Sequence, residues 1–198
     1  MEKLQFPLQF TFKITTLSND FTACDANGNT IAYIRQKMLK LKEEVQVFSD
    51  QSKSELNYTI RANKWLDFTA NYAISNVNGQ EIGSIARKGW NSIWKAHYEI
   101  LNQNKQTEFV IREANPWAKI FDNMLGEIPF LGLLSGYLFH PAYIVYNSQN
   151  VQVVELKKLP SFWGRLFSVE KHQNINTAEE ERIVLGLMML ILLERQRG

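Results

Sequence analysis

The segment that most constrains this fold is an apolar run near the C-terminus, residues 183–193, which contains no charged or polar side chain. Thr177 and Glu180 have the spacing of a capping box, and Glu179 to Glu181 suit the positive end of a helix dipole. Eleven residues rise about 16 Å, roughly half the ~30 Å hydrocarbon core of a bilayer, so a buried helix is favoured over a membrane span. Since such a helix is apolar on every face, it must be surrounded by protein on every face.

Most of the remaining chain has the pattern of β-strands joined by tight turns. Residues 8–14 alternate apolar and polar side chains at period two, which is typical of a half-buried strand. Asn27-Gly28 and Asn78-Gly79 each precede the pattern x-x-Ile-x-x-Ile-x-x-Lys, and both pairs predict hairpins with type I′ turns. Residues 102–105 and 147–150 form two further Asn-rich turns between apolar strands. These successive hairpins predict a meandering antiparallel sheet that closes into a barrel around the C-terminal helix.

A short predicted helix follows the third hairpin, and an uncharged segment then continues through the fourth. We predict a helix over residues 115–126, because Asn115 can cap it, Pro116 suits its first position and Gly126 suits its end. Residues 128–154 carry no charge, and we expect a buried turn followed by two core strands. The alternative is a loop that enters a membrane interface. Its candidate membrane-contact residues are Phe130, Leu131, Leu134 and Phe139.

Charge and cysteine content set limits on the possible functions. The chain has 198 residues with 22 Lys plus Arg and 20 Asp plus Glu, so a net charge of +2 gives no field strong enough to indicate nucleic acid. A single cysteine, Cys24, excludes an internal disulfide and fits a reducing compartment; we expect a buried, inert thiol. The first residues lack the apolar block of a signal peptide. We therefore expect one cytoplasmic domain over residues 1–198.

Cationic residues recur at equivalent places after the first two hairpins and form the candidate headgroup-binding set. A strand at residues 39–42 would place two lysines on the solvent face, and two cationic strand ends could together hold an anionic headgroup. The alternative is a solvated edge protected by lysines, since Glu43 and Glu44 follow directly. The candidates are Arg35, Lys37, Lys40, Lys42, Arg87 and Lys88.

Several of these segments resemble the tubby C-terminal-like superfamily. Residues 21–28 and 31–34 look like its opening hairpin, and residues 82–90 and 44–50 are similar to phospholipid-scramblase and LURP-one-related hairpins. The apolar run is similar to the helix that these proteins place inside their barrel. The resemblance implies an α+β, mainly β fold, a closed antiparallel barrel of about twelve strands around a buried C-terminal helix. It also implies a protein that binds membrane lipid rather than one that catalyses a reaction.

The sequence departs from the scramblases and lacks enzyme signatures. It has no cysteine-rich palmitoylation segment, proline-rich arm or recognisable calcium loop. Asp25 to Asn29 mimics half an EF-hand, but Thr30 replaces the required Gly and Gln36 the required Glu, so we expect a hairpin turn there. The nucleophile-elbow, Walker, dinucleotide and zinc-protease motifs are absent. The histidines, His97, His140 and His172, have no ligand spacing and are expected to be structural or exposed.

These observations lead to one expected function and one alternative. We expect a non-catalytic cytoplasmic module, peripheral to the membrane, that binds acidic phospholipid or an anionic headgroup without cofactor, metal or nucleic acid. The alternative is a protein–protein adaptor or structural module without lipid binding.

Overall fold

Twelve antiparallel strands form a closed barrel in the computed structural model, which describes residues 4–13, 19–38, 43–62, 71–87, 97–114, 142–160 and 166–197. The strands follow chain order around the barrel, and β1 pairs with β12 to close it. They are β1 Leu8–Phe12, β2 Phe21–Cys24, β3 Thr30–Met38, β4 Glu43–Phe48, β5 Leu56–Ala62, β6 Asn71–Asn76, β7 Glu81–Arg87, β8 His97–Leu101, β9 Thr107–Glu113, β10 Ala142–Asn147, β11 Gln152–Leu159 and β12 Leu166–Lys171. A helix, α1 (Thr177–Arg197), follows the last strand. The predicted mainly β barrel with a C-terminal helix is confirmed.

The helix fills the barrel. Residues 183–193 are all buried, and Leu193 is the most accessible of their apolar side chains at 9% exposed. Because each residue turns the helix by about 100°, eleven consecutive buried residues cover every direction around its axis. The barrel wall supplies the facing surface through one side of each strand; in β1 these inward residues are Leu8, Phe10 and Phe12. Closing the sheet thus buries the apolar run that the sequence could not leave in water.

The N-cap of the helix is Asn176, one residue before the Thr177 that the sequence predicts. Asn176 Oδ1 accepts the Glu179 backbone N–H at 2.9 Å, and Glu179 Oε2 accepts the Asn176 N–H at 3.1 Å. The capping box is therefore Asn176–Glu179, and the predicted Thr177–Glu180 box is wrong. Asn is at least as good an N-cap as Thr, and Glu180 instead accepts a hydrogen bond from Lys171 at 2.8 Å.

The Asn-Gly turns also differ from the prediction. The Gly28 N–H donates to the Asp25 carbonyl at 3.0 Å, and the Gly79 N–H donates to the Asn76 carbonyl at 2.9 Å. Gly28 and Gly79 have positive φ, but Asn27 and Asn78 do not, so these are type I turns followed by a left-handed glycine rather than type I′ turns. The side chains of Asp25 and Asn76 each accept two backbone N–H groups within the turn, which stabilises this form.

The two ends of the barrel differ in how the strands are connected. Five short turns and the link from β12 to α1 lie at one end, here called the turn rim. The connections 13–20, 39–42, 63–70, 88–96, 114–141 and 160–165 leave the strands at the other end, here called the loop rim. Much of these connections lies outside the described residues, including the predicted helix 115–126.

Candidate functional site

The first two basic candidates lie together on the outer wall of β3. Ile34 and Gln36 face inward opposite the buried Val47 and Val45, so the alternating Arg35 and Lys37 face outward. Both are partly exposed. The strand alternation therefore gives these two cations the solvent-facing orientation expected of a binding surface.

Arg87 lies on the opposite surface of the wall. It is paired with Tyr98 in β8, which is completely buried and faces the barrel interior. Residues directly opposite each other in an antiparallel pair share a face, so Arg87 belongs to the inward register. The Tyr98 hydroxyl donates to Glu194 Oε1 of α1 at 2.8 Å, which places this region at the C-terminal end of the helix. The structure thus does not bring Arg87 together with Arg35 and Lys37.

A third cation, Arg61 on β5, joins the outer surface through the strand register. Glu44 on β4 is paired with Lys37 on one side and Arg61 on the other. The Glu44 carboxylate lies 3.9 Å from Lys37 Nζ and 2.9 Å from Arg61 Nε. It is only 13% exposed, whereas Lys37 and Arg61 are 42% and 63% exposed. One recessed carboxylate therefore holds two accessible cations in place and neutralises only one of them.

Two lysines extend this surface along β3 toward the turn rim. Lys13 Nζ and Lys53 Nζ lie 4.9 and 5.3 Å from the centre of the Tyr33 ring, which also belongs to the outward register. Distances of this size allow cation–π attraction, which positions both ammonium groups. We call Lys13, Arg35, Lys37, Lys53 and Arg61 the basic strip.

A buried acid beneath the strip orders Tyr33. The Tyr33 hydroxyl donates to Asp20 Oδ2 at 2.6 Å, and both residues are almost completely buried. Burial, together with the hydrogen bond and the negative charge of Asp20, raises the pKa of Tyr33 to about 12. Tyr33 is thus a neutral, fixed platform at ordinary pH.

The turn that carries Lys53 also carries Asp50 and Glu55. The positive charge of the strip is therefore least opposed near the loop rim, around Arg35, Lys37 and Arg61. These side chains supply hydrogen-bond donors and positive charge, which are what an anionic oxygen such as a phosphate requires.

The other predicted site residues fall outside the part of the chain that the structure describes. Lys40 and Lys42 belong to the connection after β3, and Lys88 to the one after β7. The candidate membrane-contact residues Phe130, Leu131, Leu134 and Phe139 lie in the undescribed 115–141 segment. Of the helical residues that are described, none belongs to a segment both long and apolar enough to cross a bilayer.

Cys24 differs from the expectation of a buried thiol. It is half-buried in the structure, as the last residue of β2. Its position opposite the exposed Gln9 places it in the outward register. The alternating pattern of β2 predicts this side of the wall, but sequence alone does not show how far the thiol is covered.

Sequence reasoning missed Lys13, Lys53 and Arg61. Arg61 joins the strip because β5 pairs with β4 in one particular register, and Lys13 and Lys53 join it by folding over Tyr33. Arg61 could have been found from one signal. It is an outward-facing residue of the strand that follows the strand of Glu44.

A closed twelve-stranded barrel around a central helix defines the structural class, and comparison with known proteins gives the same fold. No family model and no curated protein sequence matches the chain. An X-ray structure of an Arabidopsis thaliana protein, AT5G01750, matches with a TM-score of 0.50 and 14% identity, over 94% of this chain and 93% of that one. The likeness shows that this chain and that protein share a fold.

Proposed function

We propose that this protein is a non-catalytic module that binds the anionic headgroups of membrane phospholipids through the basic strip. The observation that carries the proposal is the group of Arg35, Lys37 and Arg61, three outward cations on the two strands that flank β4. Glu44 of β4 is the carboxylate between Lys37 and Arg61. A solvent-facing, cation-rich outer wall suits a surface of many headgroups better than it suits one enclosed small molecule.

The energies involved are sufficient for peripheral membrane binding. Each Lys or Arg close to an anionic bilayer contributes about 1 kcal/mol, and this attraction falls off within a Debye length. Two further lysines, Lys40 and Lys42, follow β3 in the sequence, in a connection outside the described residues. We propose cytoplasmic localisation at the membrane surface, and a relationship to LURP-one-related and scramblase-like proteins.

Vesicle co-sedimentation tests the proposal. Wild-type protein should bind vesicles that contain phosphatidylserine more tightly than vesicles of phosphatidylcholine alone, and added salt should weaken this binding. The double variant Arg35→Gln, Lys37→Gln should bind acidic vesicles at least about tenfold more weakly, because two contributions of about 1 kcal/mol are removed.

A control with the same change in net charge separates the strip from the overall charge. Lys105→Gln with Arg112→Gln removes two cations at and beside β9, six strands around the barrel from β3. This variant should bind acidic vesicles about as well as wild type. Equal weakening of both double variants, or no preference of wild type for acidic vesicles, would overturn the proposal and favour a protein-binding role.

A further inference from the structure

Two glutamates face each other directly on the outer wall of β11 and β12. Glu155 is paired with Glu170 in the antiparallel register, so their side chains share a face. Like charges in directly opposite positions destabilise a sheet, and Glu155 is in addition only 6% exposed. Sheet stability alone therefore does not favour this pair unless a cation lies beside the two carboxylates.

Lys157 supplies a cation beside both carboxylates. Lys157 Nζ lies 3.2 Å from Glu155 Oε2 and 3.3 Å from Glu170 Oε2, and the Lys157 side chain is 36% exposed. The other groups near Glu155 Oε2 are Gln152 Nε2 and His172 Nε2, both at 3.4 Å. All four distances exceed the 2.7–2.9 Å typical of a tight charge-assisted hydrogen bond.

His172 completes a set of three ligand atoms. One atom each from Glu155, Glu170 and His172 lies within 4.8 Å of the other two. Two carboxylate oxygens and one imidazole nitrogen are a donor set that divalent transition metals accept. In a tetrahedral site with bonds of about 2.1 Å, ligand atoms lie about 3.4 Å apart, which is the separation of His172 Nε2 from Glu155 Oε2.

We infer that Glu155, Glu170 and His172 form a binding site for a divalent transition metal such as Zn²⁺, in competition with the ammonium group of Lys157. A metal ion between the carboxylates balances both charges, and Lys157 then extends into solvent on its flexible side chain. The metal ion and the Lys157 ammonium group are alternatives at one position, so the affinity of the site for metal depends on how strongly Lys157 competes. This site is on a different part of the wall from the basic strip and does not depend on lipid binding.

The site adjoins the link between the barrel and its helix. His172 directly follows Lys171, which is bonded to Glu180 in the first turn of α1. The His172 backbone N–H also donates to the Val153 carbonyl of β11 at 2.9 Å. A bound metal would therefore hold β11, the end of β12 and the start of the helix connection together.

Titration calorimetry with Zn²⁺ on the full chain tests the inference, with ¹⁵N NMR of the imidazole nitrogens as a direct readout of His172. Wild type should bind one Zn²⁺ with a shift of the His172 Nε2 resonance. Glu170→Gln and His172→Gln should each weaken binding at least about tenfold, and Lys157→Met should strengthen it by at least a similar factor because the competing cation is gone.

A stability measurement keeps the test decisive if Lys157→Met folds poorly. Zn²⁺ should raise the melting temperature of Lys157→Met but not that of Lys157→Met combined with His172→Gln. Glu99→Gln, on β8, is the control and should bind Zn²⁺ as wild type does. The inference is overturned if neither wild type nor Lys157→Met binds Zn²⁺, or if His172→Gln binds it undiminished.

Discussion

At the residue scale, the buried pair of Asp20 and Tyr33 shows how a polar group supports an exposed surface. Asp20 Oδ1 has no hydrogen-bond partner among the described residues. Within that part of the chain, the Tyr33 hydroxyl, which donates to Oδ2, is the side-chain donor that offsets the cost of burying the carboxylate. The ammonium groups of Lys13 and Lys53 lie over the ring of the same tyrosine. The positions of two surface cations thus depend on one internal hydrogen bond.

The raised pKa of Tyr33 makes stability fall at high pH. Its pKa is 10.0 in an ordinary setting and about 12 in the fold, so the stabilisation is complete below pH 10 and is lost as pH rises toward 12. Tyr33→Phe should lose about 1–3 kcal/mol at neutral pH, because Asp20 loses its donor. It should then lose less further stability than wild type between pH 10 and 12, measured by urea unfolding at each pH. Parallel curves for the two proteins would contradict this.

At the scale of secondary structure elements, polar contacts at the turn rim attach the first turns of the helix to the surrounding strands. Arg182 forms an ion pair with Glu108 of β9, with its nitrogens 2.7 and 2.9 Å from one carboxylate oxygen. Glu180 is bonded to Lys171 of β12, and Glu181 is bonded to Tyr58 of β5. Burial, together with the hydrogen bond to Glu181, raises the pKa of Tyr58. Three strands spaced around the barrel thereby hold the first turns of α1.

Gly83 on β7 permits the close approach of these elements. A Cβ atom at this position would lie 2.6 Å from the backbone oxygen of Leu101 and 2.7 Å from Cδ of Arg182. Gly83→Ala should therefore destabilise the protein by roughly 2–3 kcal/mol in urea unfolding, since the backbone oxygen cannot move away cheaply.

The adjacent Ser84→Ala is the matched control for Gly83→Ala. The Ser84 hydroxyl is buried and has no partner within the described residues, so its removal should cost little or increase stability. Equal stability of Gly83→Ala and wild type would show that Leu101 and Arg182 can move away from the added methyl group at little cost.

The sequence predicts the elements better than the details of their ends. The uninterrupted apolar run indicated α1, and the Asn-Gly pairs indicated their hairpins, because both signals are local. The capping residue was misplaced because Asn176 and Thr177 are adjacent N-cap formers that each have a Glu three residues later. The hydrogen bonds between Asn176 and Glu179 distinguish them, and the sequence pattern does not show these bonds. The turn type was wrong because the side chains of Asp25 and Asn76 stabilise a type I turn that the Asn-Gly pattern does not show.

At the scale of the whole molecule, the barrel depends on its contents. The helix side chains and the inward faces of the strands form a single core, in which a Cβ at Gly186 would lie only 3.1 Å from Cδ1 of Ile100. Surface sites were harder to predict than this core, because Arg61 and the pair of Glu155 and Glu170 come together only through strand register. Periodicity shows which side of a strand is buried, but not which neighbour lies opposite.

Leu187 tests this dependence. It is fully buried within α1, and Leu187→Asp would place a carboxylate without a partner in the barrel core. The cost should be several kcal/mol, comparable to the whole ~5–15 kcal/mol stability of a domain. Leu187→Met conserves volume and should cost less than about 1.5 kcal/mol. Thermal unfolding followed by circular dichroism compares the three proteins, and a melting temperature for Leu187→Asp near that of wild type would contradict an enclosed helix.

The order of elements along the chain has a consequence for biosynthesis. All twelve strands leave the ribosome before the segment that occupies the interior of their sheet, and β1 must wait for β12 before it gains its second neighbour. The five hairpins at the turn rim can form early because their loops are short. Closure joins distant parts of the chain and is slow. Until α1 emerges, apolar strand faces are open to association, so the nascent chain is a natural client for chaperones.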